Sequence, residues 1–458
     1  MASNKTDFTS GKIYMPLIKF MIPVFCASLL QVMYGAVDLI VVGRFAETAD
    51  VSAVSTGSQV TSTITSVIMG LTMGVTVLLG HSIGMKKLDE AGSVIGGGIV
   101  FFVIVAAVVT AVIPANAGAI ATILKAPAEA FEQSVAYIRI CMLGAIFIVA
   151  YNVLCSIFRG IGDSKTPLMA VMIACVVNIF GDMFLVAKCH MGSAGVAIAT
   201  VAAQAVSVVV CLVVLSKRAL PFNFNRSMVR FDKKIIGKIV QIGAPLAFQD
   251  FLVSVSFLVV IAIVNNLGVV ISAGVGVASK VNGFVMLFPS AMSQAVSVFS
   301  AQNYGAAQYE RAAKGLKYGV ITALCVSSVV FCVAFFRGDI LASFFSNDPE
   351  VIAAAAQYLK GFSPDTILTS VMFCFTGFFT GFQRTGFVMC QGIASAFGIR
   401  IPIAYFMSKQ VPASVSRIAM ATPSSTFVQC ILCFVYFRHV KKQIMNRKNG
   451  KDAQVEID

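Results

Sequence analysis

The stretch PLIKFMIPVFCASLLQVMYGAVDLIVVGRF, residues 16–45, places Asp38 in an apolar run with no other charge between Lys19 and Arg44. Coiled into a helix at about 1.5 Å per residue, the run is long enough to cross the roughly 30 Å hydrocarbon core of a bilayer. A carboxylate inside a spanning helix costs roughly 2.5–3.5 kcal/mol on insertion scales, so an intramembrane acid marks a working site by default. Asp182 repeats the arrangement in a second apolar segment. The pair suggests an internal ion or proton site, and hence transport.

Working outward, such runs recur along all 458 residues, which are 58% hydrophobic and 12% charged with a mean hydropathy of +0.89. No soluble fold of that size hides so much apolar surface, so the class is an all-α polytopic membrane protein in a lipid bilayer. The net charge of +14 gathers in short loops, as at the cytoplasmic face of membrane proteins, and implies no nucleic-acid partner. Residues 1–12 are polar, and the first apolar run is too long for a signal peptide. The 12 cysteines lie mostly in apolar runs and form no disulfide or metal pattern. No nucleophile–base pair or HExxH motif indicates an enzyme.

Charged breaks divide the chain into twelve expected spans, near 16–42, 52–80, 92–114, 133–158, 167–188, 193–216, 237–265, 271–300, 314–336, 356–380, 387–407 and 415–438. Lysine and arginine favour one set of loops, including Lys5, Lys12, Lys86, Lys87, Arg159, Lys165, Arg311 and Arg384. Both termini are therefore expected to face the cytoplasm of a multi-pass plasma (inner) membrane protein. The basic loop 217–238 separates an N-terminal lobe, 1–216, from a C-terminal lobe, 239–458. Residues 69–92 align without gaps on 290–313, pairing Val75 with Val296, Val77 with Val298, Gly84 with Gly305 and Ala91 with Ala312. The same offset pairs Gly160 with Gly381, and Pro23 falls one residue from Pro245. Two six-helix lobes related by an internal repeat are a transporter's architecture.

Counted from the span ends, Asp38, Asp182 and Thr200 lie at one depth, roughly 8–11 Å below one surface. Asn178 is one turn from Asp182 on the same helix face. Two carboxylates, an amide and a hydroxyl suit a small hard cation such as Na⁺, or a proton, because two bare buried charges repel. Asn and Thr in membrane helices are more often packing glue, and the coincidence of depth raises this set above that reading. No matching acids occur in the second half, where positions 260 and 403 are Val and Ile. Asp250 falls near a midplane and is a candidate for a cavity. Asp365, after Pro364, reads as a possible helix cap. Lys280 and Arg400 are intramembrane bases that pair with acids or line a cavity. Pro23 sits where a kink would serve as a hinge.

Beyond that stretch, FRGIGDSKTPL (158–168), NIFGD (178–182), GSAGVAIATVAAQ (192–204) and FSAQNYGAAQYERAAKG (299–315) resemble the multidrug and toxic compound extrusion (MATE) family across nearly the whole chain. The resemblance implies a V-shaped pair of six-helix lobes that exports organic cations or amphipathic compounds against inward H⁺ or Na⁺ flow, with no cofactor. It implies that Asp38, Asn178, Asp182 and Thr200 form the cation site, with Gln31, Tyr34 and Asn152 beside it. Val253 and Thr369 stand near a Glu and an Asp of the NorM-like branch, so the chain resembles the DinF-like branch and a second cation site is not expected. A monomer suffices for alternating access. The rival within transport is a lipid-linked saccharide flippase, whose basic cavity Lys280 and Arg400 would suit.

Overall fold

The computed structural model describes residues 8–217, 225–410 and 414–448. Lys5, residues 218–224 of the basic midpoint loop and the tail beyond residue 448 lie outside the described residues. Among the described residues the chain is helical, with no strand. Helices satisfy their own backbone groups, which is what hydrocarbon demands of a spanning segment.

Among the described residues, ten helices are long and apolar enough to span a bilayer, and two bent pairs, each taken as one span, bring the number to twelve: α1 Tyr14–Phe45, α2 Thr48–Gly84, α3 Leu88–Ala115, α4 Ala128–Leu143 with Ala145–Gly160, α5 Lys165–Lys188 and α6 Gly192–Lys217. The second set is α7 Lys233–Asn265, α8 Val269–Gly305, α9 Tyr309–Phe336, α10 Pro349–Phe362 with Pro364–Gly381, α11 Thr385–Ser408 and α12 Val415–Ile444. All twelve expected segments are present. Two are not straight: α4 and α10 each bend by 48° at their internal break. In α10 the cause is Pro364, which lacks an N–H and restricts the residue before it, and which then starts the second helix. In α4 the break falls at Gly144, a poor helix former.

The described residues form two compact units, Met1–Phe251 and Leu252–Asp458, and the division falls inside α7. Within the first unit, α5 packs on α1 and α6, and α2 on α4. The opening turns of α7 also belong there, since a Cβ on Gly70 or Gly74 of α2 would collide with the backbone of Ala247 or Ile239. In the second unit, α10 packs on α8, α9 and α12.

The internal repeat extends to details of geometry. The bounds of α2 and α3 recur 221 residues later as those of α8 and α9. Left-handed turn residues recur at that offset too, Lys86 with Ala307 and Gly162 with Gln383. So do the close helix crossings. Gly98 abuts Val75 as Gly319 abuts Val296, and Gly160 abuts Leu79 as Gly381 abuts Ser300. Both fifth helices contain a widened π-helical turn, Met183–Lys188 in α5 and Ala396–Arg400 in α11.

Candidate ion-binding site

Helical spacing puts three polar stripes on the faces that meet inside the first unit. They are Gln31, Tyr34 and Asp38 on α1, Asn178 and Asp182 on α5, and Thr200, Gln204 and Ser207 on α6. Because α5 packs on both α1 and α6, the stripes converge. Asp182, Asn178 and Thr200 all stand against the Asp38 carboxylate. Asp38 is 5% exposed, and Asn178 and Asp182 are fully buried. Thr200 is half-buried. The three residues expected to share a depth, with Asn178 one turn away, thus form one cluster.

The cluster is unsatisfied. Oδ1 of Asp38, both carboxylate oxygens of Asp182, both side-chain atoms of Asn178 and Oγ1 of Thr200 have no hydrogen-bond partner. Several hydroxyls elsewhere in the spans turn to the carbonyl one turn back, as Thr61 and Thr65 do. An unpaired buried polar atom costs about 1–3 kcal/mol, and several together rival the net stability of a whole domain. Two facing carboxylates in a poorly solvated interior add repulsion on the order of several kcal/mol. A small cation or proton, with water, would remove both penalties, and hard oxygen donors suit H⁺ or Na⁺.

Next to the cluster lies a cavity of about 10 Å³ open to a water's centre, lined by Gln31, Tyr34, Tyr151, Thr200, Gln204 and Ser207 among others. That is room for about one water. Oε1 of Gln204 is another buried acceptor without a partner. Gln204, Ser207 and Tyr151 escaped the sequence reading. For the first two a signal existed, since they continue the Thr200 stripe at i+4 and i+7.

Two carboxylates outside the cluster fix the helices that carry it. Oδ1 of Asp163 accepts the backbone N–H groups of Lys165 and Thr166 at 3.0 and 3.2 Å, and its Oδ2 accepts the Thr166 hydroxyl at 2.6 Å. The Asp of the RGIGDSKTP signature is therefore the cap of α5, reached through the left-handed Gly162 (φ +83°). Oδ1 of Asp50, at the start of α2, accepts the Ser193 N–H at 2.8 Å and caps α6 from across the unit. At Gly192 (φ +53°) any side chain would strike that carboxylate.

Other candidates fall elsewhere. Asn152 is buried, but its Nδ2 donates to the Ile148 carbonyl of its own helix at 2.8 Å, and it does not line the cavity. Asp250 is exposed on α7. Pro23 is buried within α1, which continues through it without a break. Lys280 is exposed, whereas Arg400 is 4% exposed. Asp365 is no cap: its carboxylate accepts the Thr369 hydroxyl at 2.8 Å and no backbone N–H of its helix.

The MatE family model matches residues 23–184 and again 245–406. That pairing, offset by 222, sets Pro23 on Pro245. The chain is 25% identical over 440 residues to the probable multidrug resistance protein YoeA of Bacillus subtilis, covering 93% of this chain and 94% of YoeA. It is 24% identical to the multidrug export protein MepA of Staphylococcus saprophyticus, covering 88% of each. Among solved structures, an outward-facing multidrug resistance MATE transporter of the MOP superfamily matches with a TM-score of 0.90 at 18% identity, covering 97% of this chain and 100% of the other. A MATE in the bent conformation matches with a TM-score of 0.91, covering 98% and 99%. With its family model matched once in each half, and helices to match, this chain belongs to the MatE family of multi-span membrane transporters and is not an enzyme.

Proposed function

We propose that the protein is a secondary antiporter of the plasma (inner) membrane, with both termini in the cytoplasm. It exports cationic or amphipathic organic compounds, driven by entry of H⁺ or Na⁺ at Asp38, Asn178, Asp182 and Thr200. The observation that carries this reading is the set of unpaired buried oxygens around two carboxylates. Loading such a site relieves its unpaired oxygens, and a site that loads and empties is what coupling needs. The relatives' names, multidrug resistance and multidrug export, support the substrate class. The 20 Met and 37 Phe residues offer soft, adaptable apolar surface to such compounds.

In this cycle the ion enters and neutralises Asp38 and Asp182, α1 repacks around them near Pro23, and the organic substrate leaves. The ion departs only in the opposite state of an alternating-access cycle. Gln31 and Tyr34 line a cavity with room for about one water beside the site. Ion and substrate must favour different states, since a ligand indifferent to state moves nothing. A monomer is sufficient. For a saccharide-lipid flippase the bases Lys280 and Arg400 would have to meet a pyrophosphate; Arg400 is buried and donates to Ser256, which leaves Lys280 alone for that reading.

The test is efflux of a cationic dye from proteoliposomes under imposed gradients. An acid-outside pH gradient or an inward Na⁺ gradient is expected to drive export by the wild type and not by Asp38→Asn. Export that ignores both gradients would remove the antiport reading.

A further inference from the structure

A basic segment that the ion site does not use leads into α7. Residues 225–232 are pinned to the flank of α3. The Met228 carbonyl packs on Gly96 and the Ile235 side chain on Gly97, so closely that a Cβ at either glycine would collide. The Arg230 N–H donates to that carbonyl at 2.9 Å. Oδ1 of Asp232 accepts the N–H groups of Lys234 and Ile235 at 2.9 and 3.2 Å and so caps α7. The segment therefore has a fixed place on the first unit.

That place is the edge of the hydrocarbon. From Gly96 to the end of α3 at Ala115 no residue is charged, and about 20 helical residues cover the roughly 30 Å of an apolar core. Asp89 and Glu90 lie about 10 Å further out along the helix. Beside this boundary Val229 and Phe231 are 40% and 59% exposed. Arg230, Lys233, Lys234 and Lys238 are exposed with them. Among the described residues none of these four bases has an ion pair. Helix stability does not explain them, because Lys233 and Lys234 stand in the first turn of α7, where the helix dipole disfavours cations. Lys238 follows Lys234 one turn on along the same face. Apolar side chains at the acyl boundary, with several bases at headgroup height, match the chemistry of an acidic phospholipid.

We propose that residues 229–238 are a docking surface for an anionic phospholipid, whose phosphate meets Arg230, Lys233 and Lys234 while its acyl chains lie against Val229 and Phe231. The lipid belongs to the leaflet in which α3 and α7 begin. A surplus of bases on one side of a membrane accounts for charge in a loop. It does not call for a pinned loop that presents a phenylalanine beside that charge.

The experiment titrates dioleoyl phosphatidylglycerol, dioleoyl phosphatidylcholine or inorganic phosphate into delipidated, purified full-length protein. It reads the melting temperature and, by native mass spectrometry, the lipid retained. The wild type is expected to bind phosphatidylglycerol saturably and at least ten-fold more tightly than phosphatidylcholine. Each base near an anionic surface is worth about five-fold in affinity, so Arg230→Gln/Lys233→Gln/Lys234→Gln is expected to lose on the order of a hundred-fold. Phe231→Ser is expected to weaken the lipid too, and Lys125→Gln/Lys409→Gln, at the other ends of the spans, to bind as wild type. Undiminished phosphatidylglycerol binding by the folded triple variant overturns the proposal, as does an equal loss in the Lys125/Lys409 control. Equal affinity for inorganic phosphate also overturns it, because the site would then serve free phosphate. Should the triple variant fail to fold, the three single variants decide: a loss of about five-fold in each, with Lys233→Arg/Lys234→Arg unchanged, supports the lipid site, and unchanged single variants overturn it.

Discussion

Asp38 and Asp182 are joined by two neutral partners whose removal is graded rather than fatal. Converting Thr200 to Val deletes one uncharged oxygen worth about 1 kcal/mol, so ion affinity is expected to fall roughly five-fold. Asp182→Asn deletes a charge and is expected to abolish saturable uptake; isothermal titration with the coupling ion separates the two cases. Asp163 should behave differently. Its carboxylate caps α5, so Asp163→Ala is expected to cost about 1 kcal/mol, an apparent melting temperature lower by roughly 2 °C, with ion stoichiometry kept. A lost stoichiometry in a folded Asp163→Ala protein would mean that the signature Asp is more than a cap. At this scale the sequence was readable wherever a charge stood in hydrocarbon. The Asp50–Ser193 bond joins positions 143 apart and the Arg400–Ser256 bond positions 144 apart, and no local pattern announces such contacts.

At the scale of elements, the fold depends on close helix crossings at which only hydrogen fits. A Cβ on Gly381 would meet the Ser297 carbonyl oxygen and the Ser300 side chain, whereas one on Gly118 meets nothing within 4 Å. Small residues at such crossings let membrane helices approach without a hydrophobic force between them. Gly381→Leu is therefore expected to destabilise by at least 1–3 kcal/mol, about the cost of overpacking, and Gly118→Leu to be nearly silent. Thermal stability followed by size-exclusion chromatography compares them; equal melting would contradict the crossing. Span positions were legible because hydropathy measures length along the chain. Direction was not, since hydropathy does not sense a bend. The 48° break in α10 had a local signal in Pro364, yet the break in α4 had only Gly144, and the π-helical turns of α5 and α11 had none.

For the whole molecule, the repeat and its exception matter together. Turns and crossings recur 221 residues apart, yet the polar centres differ: two facing acids in one half, and in the other an arginine bonded to a serine. Symmetry supplies the scaffold, and the proposed ion site departs from it. The repeat could be read from a few matched residues because packing at Gly160 and Gly381 constrains both halves alike. Antiport requires that ion and organic substrate disfavour each other by the same factor in either direction. The most direct measurement is release of the bound ion when tetraphenylphosphonium is titrated into loaded, purified protein. Wild type is expected to give up its H⁺ or Na⁺ as the organic cation binds, and Asp38→Asn/Asp182→Asn to bind the organic cation with no ion released. Ion release that is unchanged in the double variant, or organic-cation binding to wild type that releases no ion, would contradict the account.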